Sequence, residues 1–183
     1  MSQVFVSGHK SPDTDSIAAA LSYSYLKRRL GMDAVAVRAG EINKESRFAL
    51  DYFNLEEPML VTSVARKNPE DEKQKVILVD HNESKQTIDG MDDAEVLEII
   101  DHHRFGDFES ENPIFILVRP VGCVNTVIYG LYKANHIRPS REIAGIMLSA
   151  IISDTVLFRS PTTTEEDKET AKELAEIAGV DYE

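Results

Sequence analysis

Histidine and aspartate recur in four short clusters along this 183-residue chain: His9-x3-Asp13-x-Asp15, Asp80-His81-Asn82, Asp101-His102-His103 and Ser153-Asp154-Thr155. Carboxylates and imidazoles together are the ligand types that suit manganese, cobalt, iron or zinc. If Asp13, Asp15, Asp80 and Asp154 converge, their four negative charges match two divalent cations. A carboxylate bridging such a pair holds the ions about 3.5 to 4 Å apart, the spacing that activates water and clamps an in-line displacement at phosphorus. The chemistry expected is therefore metal-assisted phosphoryl transfer.

Three of the clusters directly follow apolar runs, which sets the elements that must carry them. Val76-Ile77-Leu78-Val79 and Val96-Leu97-Glu98-Ile99-Ile100 read as buried strands, each followed by an aspartate and then a histidine. Residues 3–7 form another strand. Residues 14–30 follow as a helix, with Ile17, Leu21 and Tyr25 recurring every four positions until Gly31 ends it. Residues 34–38 give a second strand, parallel to the first by the crossover rule, and Asn43 caps a helix over 44–53. A short strand at 59–61, a surface loop over 66–75 and a strand at 114–118 are expected. Two helices, over 123–133 and 141–152, come next. Thr164-Glu165-Glu166-Asp167 resembles a capping box before a last helix with Ala171, Leu174, Ala175 and Ala178 on one face. This alternation predicts one doubly wound α/β domain over residues 1–183, a mainly parallel sheet with helices on both faces and its strand ends gathered into one crevice.

The composition narrows the function classes. A formal charge of −12 argues against a general nucleic-acid or anionic-membrane surface, since either needs lysine and arginine. A single cysteine, Cys123, precludes an intramolecular disulfide framework and reads as a small buried hydrophobe in a reducing compartment. The N-terminus enters a strand at once, and no stretch of 18 apolar residues occurs, so a soluble cytoplasmic protein is expected.

Each candidate also has a plainer reading. Asp13 or Thr14 could simply cap a helix, with Asp15 as a first-turn acid favoured by the dipole. That leaves His9 unexplained. Asp80 and Asp101 could be turn residues, though both are followed by histidine, and two acidic strand ends in one sheet repel unless a cation intervenes. Asp154, at an apolar helix end, must be paired, hydrogen-bonded or metal-bound. His103 could act on phosphate as donor or general acid. His81 could take either a supporting bond or a plain core or surface position, Lys10 and Arg104 could touch phosphate or be solvated loop charges, and Asn125-Thr126 reads first as a helix cap.

Gly8-His9-Lys10-Ser11-Pro12-Asp13-Thr14-Asp15-Ser16, Val79-Asp80-His81-Asn82-Glu83, Asp101-His102-His103 and Ser153-Asp154-Thr155 closely resemble the four N-terminal motifs of family II inorganic pyrophosphatases, a branch of the DHH phosphoesterase superfamily. The resemblance covers essentially the whole chain. It implies hydrolysis of pyrophosphate to two orthophosphates with two tightly held ions, normally Mn2+ or Co2+, and Mg2+ arriving with substrate. By that pattern His9 and Asp13 hold one ion, Asp15, His102 and Asp154 the other, and Asp80 bridges them. Asp101 supports a ligand, and His103 contacts substrate phosphate, with Lys10 and Arg104 beside it. The resemblance further implies a homodimer joined through this domain.

Complete members of that family resemble two-domain proteins whose smaller C-terminal domain brings a Ser-Arg-Lys-Lys type motif over the metals. No comparable basic cluster occurs here before Glu183. The expectation is thus a catalytic core domain, weakly active without its C-terminal partner domain. Two alternatives stand beside it. One is a phosphodiesterase of the same superfamily acting on short oligonucleotides or cyclic dinucleotides, which an acidic chain without an aromatic stacking set does not favour. The other is a catalytically silent metal-binding dimerisation module.

Overall fold

The computed structural model describes residues 3–182; Met1, Ser2 and Glu183, at the ends of the expected domain, lie outside the described residues. The strands are β1 (Val4–Ser7), β2 (Ala34–Arg38), β3 (Met59–Leu60), β4 (Lys75–Val79), β5 (Glu95–Asp101) and β6 (Phe115–Val118). The helices are α1 (Thr14–Arg29), α2 (Lys44–Tyr52), α3 (Val124–Ala134), α4 (Arg141–Asp154) and α5 (Glu165–Ala178). All six strands lie in one sheet of order β3-β2-β1-β4-β5-β6, and every neighbouring pair is parallel. The strand order reverses between β1 and β4, so the crevice for a ligand lies beyond their C-terminal ends.

Period-two alternation divides the sheet residues between two cores. Val4, Val6, Ile77, Val79 and Ile100 pack against all five α-helices. Val37, Val76, Leu78 and Ile99 face the other way, where Val64, Ile88, Met91 and Ile114 cover them. Helices thus lie on both faces, but those on the second are single 3-10 turns at Ser84–Gln86 and Met91–Asp93. The 80–94 connection between β4 and β5 crosses that face without an α-helix, which the sequence pattern does not reveal. Among the described residues no helix is long and apolar enough to cross a membrane.

Local signals explain where the elements stop and start. Asp13 caps α1 by accepting from the Ser16 N–H at 2.9 Å, and Asn43 caps α2 through the Ser46 N–H at 2.8 Å. Thr164 and Asp167 form the reciprocal capping box of α5. Helix α4 runs through Asp154, two residues beyond the expected end, so Asp154 sits on the last turn of a helix. Gly8 is required by close approach: a Cβ there would lie 1.9 Å from Ser16 Oγ, which accepts the His9 N–H at 2.9 Å. The absence of a side chain lets the β1–α1 loop fold onto the start of α1.

Candidate metal centre

All four clusters meet above the C-terminal ends of β1, β4 and β5. His9 Nε2 lies 3.6 Å from Asp13 Oδ2 and 3.4 Å from Asp80 Oδ2. On the other side of Asp80, His102 Nε2 lies 3.2 Å from Asp80 Oδ1, 3.5 Å from Asp15 Oδ2 and 3.9 Å from Asp154 Oδ2. Most of these separations are long for hydrogen bonds. They suit ligands converging on a shared ion held about 2 Å from each.

Asp80 stands at the centre. Both of its carboxylate oxygens are buried and neither has a hydrogen-bond partner. Buried carboxylates are rarely left so. One oxygen faces the His9 and Asp13 side and the other the His102 side, as a bridging ligand requires. Asp80 also holds a left-handed φ of +62°, an uncommon conformation for an aspartate that local structure must enforce. Its N–H donates to the Ile100 carbonyl at 2.9 Å, which extends the sheet ladder one residue past β4 and fixes the turn.

Two of the imidazoles, His102 and His103, are fixed through Nδ1, whereas His9 Nδ1 is buried without a hydrogen-bond partner. The Nδ1–H of His102 donates to the Val121 carbonyl at 3.0 Å, leaving Nε2 free to face the carboxylates. His103 Nδ1–H donates to Asp101 Oδ1 at 2.9 Å, so its Nε2 edge is turned outward at a half-exposed position. Asp101 is fully buried. It also accepts the backbone N–H groups of His102 and His103 and the Asn82 side-chain amide, the last at 2.6 Å. Its place is beneath the histidines and outside the carboxylate cluster.

The carboxylates are supported in different ways. Asp13 does both jobs weighed for it, capping α1 with Oδ1 while Oδ2 faces His9. Asp15, fully buried, accepts the Val124 N–H at 2.8 Å, the Cys123 thiol at 2.8 Å and the Asn125 side-chain amide at 2.6 Å. The start of α3 is therefore capped from outside by Asp15. Asn125 is not itself the cap: Cys123 holds that position, and the Asn125 amide holds Asp15 while its Oδ1 accepts from Ser22. The polar pair at the head of an apolar helix was the visible signal, but the partner lies 110 residues away.

Electrostatics points the same way. Burial opposes charge on His9, but the facing carboxylates of Asp13 and Asp80 outweigh it and raise the pKa to about 10. For His102 burial is likewise overcome by Asp80 and Asp15, giving about 9. Burial and neighbouring aspartates push Asp80 and Asp154 well above the usual carboxylate range. An ion-free cluster thus retains protons that divalent cations would replace. His81 differs. It is buried, donates Nδ1–H to the Val79 carbonyl at 2.9 Å, and burial lowers its pKa to about 4.

Among the described residues, three groups of ligand atoms lie close enough to hold a cation: His9, Asp13 and Asp80; Asp80, His102 and His103; and Asp15, Cys123 and Asp154. The nitrogen and oxygen donors fit first-row divalent ions, and Asp80 is common to the first two groups. The Cys123 thiol is already committed as a donor to Asp15, and burial raises its pKa well above the usual value. Lys10 and Arg104 are placed differently: Lys10 pairs with Asp89, and the exposed Arg104 pairs with Glu83 at 3.0 Å. Neither touches the cluster in this state.

The family model described as DHH family, N-terminal domain, matches residues 3–151. A protein of Exiguobacterium sp. named "Probable manganese-dependent inorganic pyrophosphatase" is 53% identical over 183 residues, covering 100% of this chain and 58% of the relative. One of the same name from Bacillus licheniformis is 55% identical over 181 residues, covering 99% of the chain and 57% of the relative. The chain therefore spans less than two thirds of the length of these relatives. The crystal structure of a Methanococcus jannaschii protein assigned to the family II inorganic pyrophosphatases superposes with a TM-score of 0.88 at 42% identity, over 98% of this chain and 58% of that one. An exopolyphosphatase-related protein from Bacteroides fragilis shares the fold, with a TM-score of 0.70 at 20% identity over 98% of this chain and 53% of that one.

Proposed function

The chain belongs to the DHH family, and from that membership and its ligand arrangement we propose that it is the metal-bearing domain of an enzyme hydrolysing pyrophosphate to two orthophosphates. The observation that carries this is Asp80, whose two buried oxygens, free of hydrogen bonds, face two separate ligand groups. The relatives' names point to Mn2+, and the donor set also accommodates Co2+. His9, Asp13 and Asp80 would hold one ion; Asp15, Asp80, His102 and Asp154 would hold the other. Bound there, two such cations would activate a water and offset charge on the phosphoryl group.

The chain's own residues define the remaining roles. Water adds to one phosphorus, the bridging P–O bond breaks, and the departing orthophosphate must be stabilised or receive a proton. His103, oriented by Asp101 and presenting Nε2 outward, is the group that meets that oxygen. Asp101 is thus a positioning residue. Lys10 and Arg104 would contact phosphate only on leaving Asp89 and Glu83, exchanging one anionic partner for another. Pyrophosphate carries more negative charge than these two cations offset, so Mg2+ would accompany the substrate, and further basic groups would come from a second domain. We assign the remaining two-fifths of the relatives' length to that domain and expect weak hydrolysis by these 183 residues alone. The enzyme would work in the cytoplasm as a homodimer joined through this domain.

Phosphate release from pyrophosphate and p-nitrophenolate release from bis-p-nitrophenyl phosphate, measured side by side with Mn2+ and Mg2+, test this function. The C-terminal domain of a relative is supplied in one arm. Hydrolysis of pyrophosphate, increased by the added domain, is expected. Cleavage of the diester with pyrophosphate untouched would transfer the function to a phosphodiesterase, and no hydrolysis in any arm would leave a binding module.

A further inference from the structure

Glu45, in the first turn of α2, lies outside every ligand group, yet it touches residues beside three of the ligands. Its Oε1 accepts the Thr14 hydroxyl at 2.6 Å and also the Ser153 hydroxyl. Thr14 stands between Asp13 and Asp15, and Ser153 immediately precedes Asp154. Asp15 and Asp154 come from distant parts of the sequence, the start of α1 and the last turn of α4, and one carboxylate oxygen of a third helix links their neighbours Thr14 and Ser153.

From these contacts we infer that Glu45 is a positioning residue for the metal centre, setting the distance between the α1 and α4 ligands through its two hydroxyl partners. This rests on the dinuclear centre proposed above. A hydroxyl has a single proton. Once Thr14 and Ser153 have given theirs to Glu45, neither can donate to Asp13, Asp15 or Asp154, whose oxygens stay available to a cation. A carboxylate suits the task because one oxygen accepts both donors, and its place in the first turn of α2 is favoured by the helix dipole. Thr14 is fully buried and lies 3.2 Å from Ser46 Oγ, so its rotamer is confined from the far side as well.

Mn2+ titration of the wild type, Glu45→Ala, Glu45→Gln, Ser153→Ala and the Glu45→Ala/Ser153→Ala double variant tests the inference, by calorimetry and by the EPR signal of bound Mn2+. Supporting groups of this kind typically contribute about 10- to 100-fold in metal affinity. Glu45→Ala is expected to weaken one of the two ions by a factor in that range. Glu45→Gln, whose amide oxygen can accept both hydroxyls, should restore most of it, and adding Ser153→Ala to Glu45→Ala should cost little more. Melting with chelator present should separate these losses from misfolding; if Glu45→Ala does not fold, the Gln and Ser153 variants carry the test. Unchanged affinity in Glu45→Ala, or a Gln variant as weak as Ala, would overturn the linking role while leaving the dinuclear centre standing. A wild type that binds fewer than two ions would instead remove the centre itself.

Discussion

His103 and Asp80 sit a few ångströms apart and have opposite relations to hydrogen bonding. Asp80 keeps two buried oxygens unpaired, whereas His103 has committed Nδ1 to Asp101 and offers Nε2 to whatever enters. His103→Gln should therefore leave Mn2+ binding near wild type while lowering the rate of pyrophosphate hydrolysis by about 100- to 10,000-fold, the usual range for a general acid or base. Metal titration beside a phosphate-release assay checks this; lost Mn2+ would make His103 a ligand. That the histidine and aspartate clusters converge was legible from residue type and their place at strand ends, although each residue taken singly had a plainer reading. Asn125 and Glu45 were not, since their importance lies in bonds spanning 110 and 108 residues of sequence, to Asp15 and Ser153. Asp13 shows why single-residue arguments stay undecided: it is both a helix cap and a candidate ligand, one oxygen for each.

Among the elements, the turn after α4 is the most strained. Val156, Leu157 and Phe158 hold φ values of +49°, +54° and +63°, three consecutive non-glycine residues in the left-handed region. Each such residue costs roughly 1–2 kcal/mol. Thr155 holds the turn closed: its hydroxyl donates to the Ile151 carbonyl at 2.5 Å and accepts the Phe158 N–H at 3.1 Å. Val156 is exposed, so Val156→Gly forfeits little packing and should stabilise the chain by about 1 kcal/mol, part of the relief being offset by glycine's unfolded-state entropy. Urea unfolding with chelator present measures it, and a less stable variant would show that the valine side chain contributes contacts beyond its backbone strain. Asp167 represents the contrary case. Fully buried, it accepts the Gly122 N–H and the Thr126 and Thr164 hydroxyls, joining the starts of α3 and α5. Asp167→Ala should cost about 3 kcal/mol by leaving several donors unpaired, read in the same urea experiment; a change below about 0.5 kcal/mol would mean the network relaxes onto water. The capping box around Asp167 was readable from Thr164 and its spacing. Its second set of partners on α3 was not, nor was the left-handed turn, since Val, Leu and Phe carry no signal for positive φ.

For the whole molecule, the strand order places β1 and β4 side by side, so the loops bearing His9 and Asp80 open into one crevice and β5 adds His102 from the next strand over. Period and strand length were enough to expect that sheet. They did not reveal that all five α-helices cover one face while 3-10 turns and loops cover the other, because an apolar residue in a loop packs as well as one in a helix. The concentration of acid around the crevice predicts that stability is coupled to cations: ions that bind the folded chain would stabilise it by about 2.7 kcal/mol each at 100 times their dissociation constant. Excess Mn2+ should thus raise the melting temperature and chelator should lower it, followed by circular dichroism; equal melting in both would mean the cluster has no cation linkage. The most direct test counts ions. After gel filtration with Mn2+, metal analysis should find about two per chain in the wild type and fewer than one in Asp80→Asn, whose amide cannot bridge as a carboxylate does. Two ions retained in Asp80→Asn would contradict the bridging role on which the proposed centre rests.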